Sequence, residues 1–159
     1  MRVCDLMDIL RKRYEPFARE HGMGFQTAPD PQRPYTLILA GGGGLCVLCY
    51  EGQARLDDTP NGRVPVGSRF ALFVSASTAL DADKAGGGGL FRQNASAAKK
   101  PLYEICEDFE CDIKEFTIPD NDGFAEPKPY YTGTEPAVMP DGFVLNAYKI
   151  AFQIRRAMA

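Results

Sequence analysis

A chain of 159 residues, 45% apolar and 25% charged, with its ten Phe and seven Tyr spread along the whole length, can bury a full core in one domain. A domain of this size removes roughly 70% of its unfolded surface from water, and the composition excludes global disorder. A net charge of −3 and a pI near 5.2, with basic residues grouped only at Arg11-Lys12-Arg13, Lys99-Lys100 and Arg155-Arg156, exclude the concentrated basic face of a sequence-specific nucleic-acid binder.

Val3, Leu6, Met7, Leu10, Tyr14, Phe17 and Ala18 recur at i, i+3, i+4 and i+7, which predicts an amphipathic helix lying on a sheet. Pro16 is expected to kink or break it, and Gly22 and Gly24 to end it. Gln26 to Arg33, with Pro29 and Pro31, reads as a loop. The short apolar run Tyr35 to Ala40 and the longer run Leu45 to Leu56 read as strands.

Asn61-Gly62 is a strong hairpin signal, and Val64 to Ser77 resumes the strand pattern beyond it. Phe70, Leu72 and Val74 alternate there with Ala71, Phe73 and Ser75. The second and third strands should therefore be antiparallel neighbours, the third apolar on both faces over its middle. Thr78 to Ala98, rich in Ala, Asp, Gly and Ser, reads as a surface loop.

Leu102, Ile105, Cys106 and Phe109 predict a second helix to about Glu110, with Pro101 tolerated in its first turn. Ile113 to Ile118 is an ambiguous short strand. Tyr130 to Thr134 and Phe143 to Ile154 read as the arms of a final hairpin, with Val144, Tyr148, Ile150, Phe152 and Ile154 on one face. The expected architecture is a single α+β domain over residues 1–159: an antiparallel sheet with a long β-hairpin and two helices packed on one face.

No apolar run approaches a membrane span, and the N-terminus opens into an amphipathic pattern, not a signal-peptide core. Five cysteines, an odd number, then read as buried thiols in a reducing compartment. A cytoplasmic, membrane-free protein is expected. Cys46 and Cys49 have CxxC spacing, but residues three apart in a strand face opposite ways, so they cannot share a metal or a disulfide. Cys106 and Cys111 diverge around a helix, and Cys4 stands alone. The single histidine, His21, sits where a helix ends and reads as a C-terminal charge partner.

Asp120-Asn121-Asp122-Gly123 opens like a calcium loop, yet Tyr131 occupies the position that needs a Glu. Ala-Gly-Gly-Gly-Gly-Leu occurs at Ala40 to Leu45 and again at Ala85 to Leu90. Neither copy has the strand before, helix after and Lys or Ser/Thr of a phosphate loop, so tether or bulge is the better reading. No catalytic residue, cofactor or metal is expected, and the chain reads as a structural protein, not an enzyme.

The element order resembles the tail terminator family of long-tailed bacteriophages. The likeness rests on an amphipathic N-terminal helix (Val3 to Ala18), a short strand after a proline (Pro34 to Ala40), a long hairpin (Leu45 to Ser77), a second helix after a loop (Lys100 to Glu110), and a last strand over Tyr148 to Ile154. The resemblance implies a homo-oligomeric ring, usually a hexamer, that caps the tail tube and joins it to the head connector, with a place in the virion. Within the same class stand other head–tail joining or tail completion proteins. From other classes come a small ligand-binding or regulatory module and, last, a thiol-dependent enzyme using Cys46 or Cys49.

Partner contacts are expected at the hairpin tip, at Asp57, Asp58, Asn61 and Arg63, because a two-stranded arm needs something packed on it. They are also expected at Leu90 and Phe91, two large apolar residues beside Gly86 to Gly89 that could order on contact. The alternative is that Leu90 and Phe91 tuck into the domain's own core.

Overall fold

The computed structural model describes residues 1–41, 44–56, 64–77, 101–119, 127–137 and 145–158. Among these, eight elements follow in order: α1 (Val3–Glu20), β1 (Gly24–Ala28), α2 (Arg33–Gly41), β2 (Leu45–Arg55), β3 (Val64–Ser77), α3 (Leu102–Glu115), β4 (Tyr130–Pro136) and β5 (Leu145–Met158). The five strands form one sheet in the order β1-β2-β3-β5-β4. The fold is α+β as expected. β2 to β5 pair antiparallel, while β1 runs parallel to β2, from Gly24↔Leu45 to Ala28↔Cys49, and makes the sheet mixed.

α1 begins where Asp5 Oδ2 accepts the Arg2 backbone N–H at 2.9 Å, an acid placed to suit the positive end of the helix. The expected break at Pro16 does not occur, for the helix continues to Glu20. Pro16 faces solvent while Tyr14 and Ala18 on either side of it are buried, so core packing outweighs one missing hydrogen bond. The end comes at Gly22, with φ 77°. Met23 N–H donates to Ala18 O at 2.9 Å and Gly22 N–H to Arg19 O at 3.0 Å, the paired bonds of a Schellman turn, closed by the buried Met23 and Ala18.

Two expectations over residues 26–41 are corrected. Part of the expected loop is strand β1, and the expected strand Tyr35 to Ala40 is helix α2. The Asp30 side chain accepts the backbone N–H groups of Gln32 and Arg33, both at 2.9 Å. That is an N-cap followed by Pro31 at the first helical position. The short strand considered for Ile113 to Ile118 is likewise absent: α3 runs on to Glu115, and Phe116 N–H still donates to Asp112 O.

Both faces of the sheet are covered over its middle. On one face α1 and α3 bury Leu6, Leu10, Tyr14, Leu102, Ile105 and Phe109 against Cys46, Leu48, Phe70, Leu72, Ile150, Phe152 and Ile154. This is the expected pair of helices on one face, and it includes Ile150, Phe152 and Ile154 of the last strand's period-2 set, with Tyr148 half-buried against it and Val144 outside the described residues. On the other face α2 places Ile38 against Val47, Cys49, Ala71, Phe73 and Ala147, which explains why β3 is apolar on both sides.

Two clamps hold α1 to α3. Arg13 grips Asp112 with Nε and Nη2 while lying 5.1 Å from the Phe116 ring centroid. His21 links the end of α1 to Asp108. On the far side of α3, Tyr131 and Thr134 of β4 both donate to Glu110, with Lys114 over the Tyr131 ring.

Candidate functional site on the open half of the sheet

All six expected contact residues, Asp57, Asp58, Asn61, Arg63, Leu90 and Phe91, lie outside the described residues, as does the second tetraglycine copy. The stem of the hairpin is described, and it corrects the premise behind the tip. β5 pairs with β3 over its whole length, from Ser77↔Leu145 to Val64↔Met158, so the arm is three-stranded and does not depend on a neighbour for support. Arg156 ties this end together, donating to Gln53 Oε1 at 2.7 Å, Ser68 Oγ at 3.1 Å and Met1 O at 3.0 Å. Of the first tetraglycine copy, Gly41 ends α2 and Gly44, with φ 68°, stands just before β2.

Cys46 and Cys49 do face opposite ways, one in each core cluster. Burial pushes the Cys46 and Cys106 thiols well above their ordinary range, and Cys49 up to about 12. Such thiols are poor nucleophiles. His21 offers no base to any of them. Its Nδ1 lies 2.8 Å from Phe17 O and its Nε2 2.9 Å from Asp108 Oδ2, so both ring nitrogens are engaged in joining the helices. Among the described residues no group of three or more His, Cys, Asp or Glu side chains lies together to hold a metal.

Among the described residues, α2 covers only part of its face. Beyond Phe73 and Ala147 the register places Glu51, Arg69, Lys149, Ala151, Gln153, Arg155 and Tyr130 on that face, and none belongs to either core cluster. Glu51 and Lys149 pair at 2.7 Å, with side chains 15% and 23% exposed. The Arg155 guanidinium lies 4.2 Å from the Tyr130 ring centroid, a cation–π contact. Arg69 makes no ion pair among the described residues.

Backbone geometry opens a cleft of about 260 Å³ here, lined in part by Glu51, Arg69, Thr132, Ala151 and Gln153. β2 carries a bulge between Tyr50 and Gly52, and β4 another between Tyr131 and Gly133. Both glycines have positive φ, 97° and 151°, where a side chain would be strained. Gly67 leaves room for Gln153 to lie across the sheet: a Cβ there would sit 1.9 Å from Gln153 Nε2.

No protein-family model matches the chain, and no curated protein matches it. The geometry therefore carries the functional reading. A second cleft, of about 400 Å³, lies between α1 and β1, lined by Val3, Cys4, Met7, Ala28, Pro29 and Tyr50, with Asp8 and Arg11 at its rim. Cys4 and Asp8 lie one turn apart on α1 in this cleft, and the Asp8 carboxylate is paired with Arg11 and Lys12, both at 2.8 Å. Among the described residues no helix is long and apolar enough to cross a membrane. In the sequence, glycines inside strands signalled Gly52, Gly67 and Gly133, but which face they opened depended on register.

Proposed function

We propose that this chain is an assembly protein, a phage or prophage structural component that resembles a tail terminator: it forms a homo-oligomeric ring on the finished tail tube and presents a surface to the head connector. The single observation that carries the reading is the β2–β3–β5 ribbon. Its outer end, including residues 54–55, 64–65 and 155–158, lies beyond both core clusters, and residues 57–63 join β2 to β3 in sequence.

Two further features support the reading. β1 and β4 edge the sheet on opposite sides, so a copy offers one neighbour a different surface from the one it offers the next. Heterologous contacts of this kind form a ring where the rotation between copies closes. The acidic balance, net −3, suits a passage for DNA that must not stick.

The test is removal of Asp57 to Arg63 and, separately, replacement of Leu90 and Phe91 by Ser, following assembly state and thermal stability together. Loss of assembly with an intact monomer supports the reading. Lost monomer stability with unchanged assembly contradicts it.

A further inference from the structure

The geometry points to a carboxylate-binding site on the open face of the sheet, centred on Arg69 and completed by Gln153 and Thr132. This inference is independent of the assembly reading and follows from how the face is built.

Of the two cations nearest the cleft, Lys149 is neutralised by Glu51 at 2.7 Å, whereas Arg69 has no ionic partner among the described residues. Farther along the face, Arg155 is stacked on Tyr130. A guanidinium on a central strand, in a cleft that Gln153 and Thr132 also line, offers planar paired donors for the two oxygens of a carboxylate. Arg69 stands in register between Gly52 and Gln153, and Tyr130 follows in the same row.

The backbone around that row is shaped by glycine. Gly52, with positive φ, opposes Arg69, and a Cβ there would sit 3.6 Å from Arg69 Nη2. Gly67 lets Gln153 lie flat, and Gly133 bulges opposite Ala151. Bulges of this kind re-aim side chains and concentrate beside binding sites. The volume, about 260 Å³, suits a small acid or a single acidic side chain, not a large cofactor. Glu51 also lines the cleft, with its charge taken up by Lys149 at 2.7 Å.

Equilibrium dialysis of the full chain with labelled succinate tests the site, because it reads binding in any assembly state. Saturable uptake of one succinate per chain is expected, unaffected by chloride at matched ionic strength. Arg69→Gln should weaken binding at least tenfold, and Gln153→Ala severalfold, both with the wild-type thermal midpoint. Absence of saturable binding, or undiminished binding in Arg69→Gln, overturns the proposal. Displacement by a capped Asp-Asp peptide separates the two sources: a peptide more potent than succinate assigns the site to a protein's acidic side chain, and a weaker one to a small organic acid.

Discussion

Phe152 stacks on Phe70 with ring centroids 5.7 Å apart and is 1% exposed, so truncation to Ala leaves a cavity under both helices. The expected cost is about 3–5 kcal/mol, read as a lower denaturant midpoint at unchanged slope. A wild-type midpoint would show that the packing is misassigned. Gly52 tests the backbone instead: Gly52→Ala forces a side chain into φ 97°, at a cost on the order of 1–3 kcal/mol in thermal or denaturant unfolding.

The thiols give a pH dependence with a definite sign. Cys49 is an acid whose folded pKa is raised, from 9.0 to about 12, first by burial and then by Glu51, so the native state holds its proton longer than the unfolded chain does. The contribution is fully present below about pH 9 and is lost as pH rises towards 12. Cys49→Ala should flatten that alkaline loss in denaturant unfolding at several pH values. An identical alkaline profile would contradict it. The divergence of Cys46 and Cys49 was legible in the sequence because period-2 geometry fixes direction once a strand is recognised. The shift was not, since it requires knowing that α2 covers the second face.

At the scale of elements, the strongly periodic segments were legible and the short apolar one was not. α1 and β5 each display a single repeating face that has one structural solution. Tyr35 to Ala40 displays none, and a buried helix and a buried strand look alike over six residues. The deciding signal stood just upstream, in Asp30 and Pro31, as an N-cap and first helical residue. Asp30→Ala should therefore cost about 1 kcal/mol, seen as a lower thermal midpoint, with the loss falling on α2 and the Cys49 face. An unchanged midpoint would mean that the cap contributes nothing. The hairpin stem was legible from Asn61-Gly62, whereas its third strand was not, because pairing between β3 and β5 spans about eighty residues of sequence and no local pattern announces it.

For the whole molecule, the candidate site was the least legible part. It is assembled from β2, β3, β5 and β4 at one level of the sheet, and a cleft of that kind exists only once the register is set. The contact residues singled out from the sequence lie outside the described residues. The structure instead describes a three-stranded ribbon, two sheet edges at β1 and β4, and a polar row on the α2 face. The central claim is assembly, and mass by light scattering coupled to gel filtration, over a wide concentration range, tests it most directly. The account predicts a discrete species several times the 17.5 kDa of one chain, reduced to an intact monomer when Asp57 to Arg63 are removed. A well-folded monomer at every concentration would contradict it.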